Sequence, residues 1–411
     1  MQGFDFPTLG ALLFLATLVA IASRRFDLPY STGLVAAGIV VALLAPHAPP
    51  RLTPDLIYFV FLPPLVFEAA IQIPWQSFRR DLPLLLALVT VGVVLAAGAV
   101  AVGMHYWIGW EWIGAGLFGV LIAATDPVAV IAAFRQLNVQ PRLHLLVEAE
   151  SLLNDGVAAV GFAILAGVAA GGGSSAGEVA VKLAGTIVGG IAAGLAVSVP
   201  LILLAGRASD RLVEITITML IAYGSFLLAE HFHASGVLAT LTAGLVVGNW
   251  GFVGAISDDG RSGVLHHWEY VAFLINSLIF LLIGAYIPLM PFAVVIEAAG
   301  VAILLSLVGR ALAVYPVTLA FAPTRLCVPW AYKHVLFWGG LRGALALALA
   351  LALPTSLPER GAIIAVAFAV VAFSVFVQGL TMPPMIRWLG LIRGERGDQG
   401  ELKGVTLPDQ G

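Results

Sequence analysis

Residues 84–102 read LLLALVTVGVVLAAGAVAV, a run without a charged side chain that is apolar on every helical face. Such a segment has no polar side to turn towards water, and it approaches the roughly 20 residues a helix needs to cross a bilayer. Within a bilayer every backbone amide must be satisfied inside the structure, which leaves α-helices or a closed β-barrel. The alternation of lipid-facing and lumen-facing residues that marks a barrel strand is absent, so the run is read as helix.

Working outward, similar runs recur from Thr8 to Trp388. The 411 residues are 60% hydrophobic and 10% charged, with mean hydropathy +1.02, against the roughly 25% charged residues of ordinary soluble domains. Cutting at turn-forming and charged clusters gives thirteen approximate spans: 8–23, 31–46, 54–73, 84–105, 112–134, 143–170, 178–205, 212–230, 235–250, 267–287, 292–321, 332–353 and 360–387. The fold class expected is an all-α polytopic membrane protein, with residues 1–387 embedded and 388–411 a short cytoplasmic tail. The net charge of -3 is spread among loops and points to no nucleic-acid partner; membrane lipid is the expected surrounding. The single cysteine, Cys327, excludes an internal disulfide and a redox pair. Arg24 and Arg25 follow the first apolar stretch where a signal peptide would carry a small-residue cleavage site, so that helix is expected to be retained.

Thirteen spans place the termini on opposite sides, and the basic residues orient them. With the N-terminus outside, Arg24, Arg25, Arg79, Arg80, Arg135, Arg142, Arg207, Arg211, Arg261, Arg325, Lys333, Arg387, Arg393, Arg396 and Lys403 lie inside. Arg51, Lys182 and Arg360 lie outside, and Arg310 and Arg342 fall within spans. Ser31 to Leu44 (STGLVAAGIVVALL) resembles Ala234 to Gly248 (ASGVLATLTAGLVVG), which pairs the second span with the ninth. An even and an odd span run in opposite directions, so if this pairing holds, spans one to six and eight to thirteen form an inverted repeat around a linking seventh.

Ionisable groups at mid-span are costly and mark pathways or pairs. The sixth span carries Glu148-Ala149-Glu150-Ser151-Leu152-Leu153-Asn154-Asp155-Gly156. Helical spacing sets Ser151 one turn before Asp155 and Glu150 one turn before Asn154, so the polar groups share a sector that can line a cation site, or form a hydrogen-bonded helix contact. Glu148 lies nearer the cytoplasmic end and is open to solvation. In the fifth span Pro127 removes an amide donor and disfavours helix at Asp126, so Thr125-Asp126-Pro127 should break the helix and free carbonyls beside a carboxylate. Gly339-Gly340-Leu341-Arg342-Gly343 suggests a second break in span twelve, the fifth of the second repeat, and the two breaks could cross. Arg342 then needs an anion, with Glu150 and Asp155 the candidates. Glu68, at the middle of span three after Pro63-Pro64, is either a wall of the ion site or a neutral core acid, and Arg310 is read as snorkelling or capping carbonyls. The histidines fall mostly at span ends. No nucleophile–base triad, phosphate-binding loop or metal-ligand spacing is present, so the chain is read as a transporter and not an enzyme, without a cofactor.

Together Phe67-Glu68, Thr125-Asp126-Pro127, Glu150 to Gly156 and Gly339 to Gly343 resemble the sodium/proton antiporters of the monovalent cation:proton antiporter 1 family, and the resemblance covers nearly the whole chain. It implies thirteen helices, an inverted repeat, broken helices five and twelve, and a homodimer in which a six-helix ion-carrying domain moves against a dimerisation domain. Asp155 then corresponds to the ion- and proton-binding aspartate and Asn154 to the asparagine before it in electroneutral members. Asp126 and Thr125 match ligands of the unwound helix, Ser151 and Glu68 further ligand or water-mediated positions, and Glu150 with Arg342 a buried ion pair. Asp155, Asp126, Thr125 and Ser151 are thus the expected Na+ ligands. Ala149 departs from the glycine common at its position, and the long tail of animal members is missing, which suggests a prokaryotic inner-membrane protein. The implied function is exchange of Na+ (or K+ or Li+) for H+ by alternating access; a cation-coupled solute symporter and a cation channel are the rivals.

Overall fold

The computed structural model describes residues 6–26, 29–44, 53–169, 171, 176–207 and 210–392. Arg51, Arg393, Arg396, Lys403 and the tail beyond 392 lie outside the described residues. The chain folds into fifteen helices of eight residues or more among the described residues: α1 (Phe6–Phe26), α2 (Tyr30–Leu44), α3 (Leu56–Gln72), α4 (Trp75–Ile108), α5 (Trp112–Ala123) and α6 (Val128–Leu137). There follow α7 (Pro141–Ala169), α8 (Ala176–Ala205), α9 (Arg211–His231), α10 (Gly236–Gly251) and α11 (Asp258–Leu289). The chain continues as α12 (Phe292–Ala320), α13 (Trp330–Trp338), α14 (Ala344–Leu351) and α15 (Arg360–Trp388). Because α5 with α6, and α13 with α14, are the halves of broken spans, these make thirteen crossings.

Each expected span has a helix, but two begin earlier than the apolar pattern suggests. The fourth starts at Trp75, so Arg79, Arg80 and Asp81 belong to a helical extension and not to a loop. The tenth starts at Asp258, where the Ser257 hydroxyl accepts from the Gly260 amide and Asp258 and Asp259 complement the helix N-terminus. Asp81 is fully buried: the Arg142 guanidinium donates to its Oδ1 at 2.9 Å and also to the carbonyls of Leu326 and Cys327. That one arginine ties the start of α4, the start of α7 and the loop before α13.

The helices sort into two bodies. One comprises α4 to α7 with α12 to α15, the other α1 to α3 with α8 to α11. In the second body α2 packs along α11 and α3 along α10. Under the inverted repeat these are the same contact seen twice, because span two maps to nine and three to ten. The glycines show it in detail. A Cβ on Gly38 would strike the Leu281 carbonyl and lie 3.0 Å from the Cα of Gly284, and one on Gly244 would lie 2.5 Å from the Ala70 Cβ and 3.2 Å from the Phe67 carbonyl. Gly38 and Gly244 each follow an alanine and precede a branched apolar run in the two similar stretches, so the weak sequence likeness reflects one close helix approach used twice.

Candidate functional site

The two breaks cross. Ala124 to Pro127 is non-helical between α5 and α6, and Gly340 to Gly343 between α13 and α14. Where they meet, the Asp126 amide donates to the Leu341 carbonyl at 2.7 Å, and Arg342 Nη1 donates to the Ala124 carbonyl at 3.2 Å. The Asp126 carboxylate accepts from the Val128 amide at 2.9 Å, capping α6; it also lies against Gly343, close to the Ala344 backbone at the start of α14. Helix N-termini carry partial positive charge and C-termini partial negative charge. Asp126 therefore answers two N-termini and Arg342 answers the C-terminal end of α5.

The α7 helix brings the sequence-predicted polar sector against this crossing. Ser151 Oγ donates to the Thr125 carbonyl at 2.5 Å, and Thr125 Oγ1 lies 3.2 Å from Ser151 Oγ. Asn154 Nδ2 donates to the Ala123 carbonyl at 2.8 Å and to Thr125 Oγ1 at 3.2 Å. Asp155 stands beside Asp126, close to the Thr125 backbone, and its Oδ1 is buried without a hydrogen-bond partner. Thr125, Asp126, Ser151, Asn154 and Asp155 are thus brought together. A buried carboxylate oxygen without a partner is costly, and a bound cation or proton would relieve that cost.

Glu150 points away from this cluster, and its partner is not Arg342. Arg310 Nη1 and Nη2 donate to Glu150 Oε1 and Oε2 at 2.6 and 2.9 Å, and Arg310 also donates twice to the Leu336 carbonyl. Arg310 is 6% exposed, so it neither snorkels nor merely caps carbonyls. Gly340 serves this pair, since a Cβ there would come within 2.5 Å of Arg310 Nε. Arg342 lies in the field of Glu150 and Arg310 but gives its hydrogen bond to α5. A sequence signal for Arg310 did exist: it sits ten residues before α12 ends, about 15 Å of helix rise, too deep for an easy route to water.

A cavity of about 360 Å³ reaches Asp126 and Asp155 between the two bodies and is also lined by Glu68, Arg135, Glu148 and Glu269. Glu68 is held by Gln72 and Arg135 on the cavity wall, across from the aspartates. Glu148, read from sequence as open to solvation, is buried. It faces the same cavity as Asp155 because the two are seven residues apart on one helical face. Among the described residues no cluster of three or more His, Cys, Asp or Glu side chains suited to a resident metal occurs.

A family model described as the transmembrane sodium/hydrogen exchanger matches residues 10–388. The Na(+)/H(+) antiporter ApNhaP of Aphanothece halophytica is 38% identical over 398 residues, covering 96% of this chain and 76% of that protein. The Na(+)/H(+) antiporter NhaP of Pseudomonas aeruginosa is 32% identical over 405 residues, covering 92% and 95%. In fold, the chain is similar to the sodium proton antiporter MjNhaP1 of Methanocaldococcus jannaschii, with TM-score 0.75, 20% identity, and 93% and 98% of the two chains covered. The broken helices and the thirteen-span inverted repeat are features of that shared fold. On the extent of the family match and of the likeness to its curated relatives, this chain belongs to the sodium/hydrogen exchanger family.

Proposed function

We propose that the protein exchanges one monovalent cation, Na+, for one proton at a carboxylate site centred on Asp155. The observation that carries this reading is the partnerless buried Oδ1 of Asp155, beside Asp126, at the crossing of two broken helices and at the end of a cavity. The Thr125 and Ser151 hydroxyls and the carboxylates of Asp126 and Asp155 are hard oxygen ligands suited to an alkali cation. An apolar surrounding does not hold an uncompensated carboxylate cheaply, so the site is occupied by cation or proton in turn. An empty, charged site is too costly to carry across the barrier, and competition thereby becomes obligatory exchange by alternating access. The body built from α4 to α7 and α12 to α15 carries the site; the other body serves as scaffold and as the face at which two copies form a homodimer. The distribution of basic loops supports an orientation with the N-terminus outside and the cavity mouth, with Arg135, on the inner side of a prokaryotic plasma membrane. Residues 1–387 form the exchanger and 388–411 the tail.

The test is dissipation of a proton gradient by proteoliposomes supplied in turn with Na+, Li+ and K+. Cation-dependent proton movement supports the exchanger. Cation flux that proceeds without counter-movement of protons indicates a channel, and dependence on an organic co-substrate indicates a symporter.

A further inference from the structure

The mouth of the cavity carries charges for which exchange at Asp155 has no evident use. Arg135, at the end of α6, is 42% exposed at its side chain. Its Nη2 donates to Gln72 Oε1 at 3.2 Å and lies 3.5 Å from Glu68 Oε1, both on α3. Its Nη1 stands 3.9 Å from Glu269 Oε1 on α11. Deeper in, Glu148 is 7% exposed and faces the cavity in the field of Glu68 and Arg135, with His144 Nε2 at 3.9 Å.

Distances separate this arginine from the other charged pair of the site. Arg310 grips Glu150 at 2.6 and 2.9 Å in a buried fork, whereas Arg135 touches its carboxylates at 3.5 and 3.9 Å on a half-exposed stem. Exposed pairs of that length contribute little to stability. Displacing such a half-exposed guanidinium therefore costs little, and its backbone belongs to one body, α4 to α7 with α12 to α15, while these partners belong to the other.

We propose that Arg135 is a tethered counter-cation of the entrance, competing with the incoming monovalent cation for the negative field of Glu68, Glu148 and Glu269 and so setting the apparent cation affinity. The inference rests on the reading of the cavity as the ion path. When an ion enters, Arg135 is displaced towards solvent; when the cavity empties, it returns and neutralises the vestibule. The same field acts on protons, because both substrates carry one positive charge. Removing Arg135 therefore strengthens cation and proton binding together. The gain in apparent cation affinity is full at alkaline pH, where protons do not compete, and narrows as pH falls.

The experiment measures Na+ KM and maximal rate in proteoliposomes across pH for Arg135→Gln, Arg135→Lys, Glu148→Gln and the double variant Arg135→Gln/Glu148→Gln. With Arg135→Gln the alkaline KM should fall about two- to fivefold, the scale of one charge acting over ~10 Å of hydrated cavity. The fall should shrink at high ionic strength. Arg135→Lys should keep the wild-type KM, Glu148→Gln should raise it, and the double variant should return towards it. An unchanged or raised alkaline KM in folded Arg135→Gln, or an Arg135→Lys variant that behaves like it, overturns the proposal. If Na+ drives no exchange in the wild type, the functional reading fails instead. The same comparison is then made on Na+ binding by calorimetry, where Arg135→Gln must still tighten binding for the counter-cation role to stand.

Discussion

Arg310 holds both carboxylate oxygens of Glu150, and the arginine of the glycine-rich break does not. The fork joins α7 to α12, and the additional bonds from Arg310 to the Leu336 carbonyl bring in α13, so one side chain ties three helices of one body. Buried pairs of this kind are better evidence of positioning than of net stabilisation, but losing one partner strands the other.

Arg310→Ala is therefore expected to destabilise the protein by about 3–5 kcal/mol, the usual cost of an orphaned buried charge. The double change Glu150→Ala/Arg310→Ala should cost less than the two single losses added. Thermal unfolding in detergent measures the coupling. The same cycle with Arg342 should show the smaller coupling, since Arg342 gives its hydrogen bond to Ala124; a larger Arg342–Glu150 coupling would contradict the geometry.

Asp155→Asn is expected to abolish exchange in a protein that still folds, since the substitution keeps the shape and removes the charge at the centre of the proposed site. Sodium-driven recovery of an imposed proton gradient is the measurement. Exchange within a few-fold of wild type in the folded variant would remove Asp155 from the centre of the site.

Competition has a quantitative signature. In the acid range, where protons dominate, the apparent cation KM should rise about tenfold per unit fall in pH, the mass-action limit for one proton displacing one cation. It should level off in the alkaline range. Initial rates over a grid of pH and Na+ concentration decide this; a pH effect confined to the maximal rate would point to regulation elsewhere.

Exchange should be electroneutral. Asn154 spends its amide on the Ala123 carbonyl and Thr125 hydroxyl, where a second aspartate would add a titratable charge, and Glu150 is held by Arg310. A membrane potential imposed across proteoliposomes at equal pH and equal Na+ should drive no protein-dependent proton flux. A flux that needs both the protein and Na+ would require a different stoichiometry.

The spans and both helix breaks were legible because each is a local matter: an unbroken apolar run, a proline after Asp126, glycines around Arg342. The starts of α4 and α11 were not, because Trp75 to Asp81 and Asp258 to Arg261 are charged helix ends that read as loop. The partner of Glu150 was illegible for another reason. Two arginines, on α12 and in the second break, approach the same sector of α7, and only the relative rotation of the helices decides between them. Burial of Glu148 likewise depends on α3 and α6 closing over one face of α7, which spacing along α7 does not reveal.

The contacts at Gly38 and Gly244 have a mechanical consequence. There α2 meets α11, and α10 meets α3, backbone against backbone, with no long side chain between them whose rotamers could take up a displacement. Interfaces of that kind transmit force without yielding, so the four helices behave as a stiff plate. Under the proposed exchange, strain that arises as the other body changes position would be absorbed at its boundary with that plate, and even an added methyl at either glycine would act as a wedge driven into the plate.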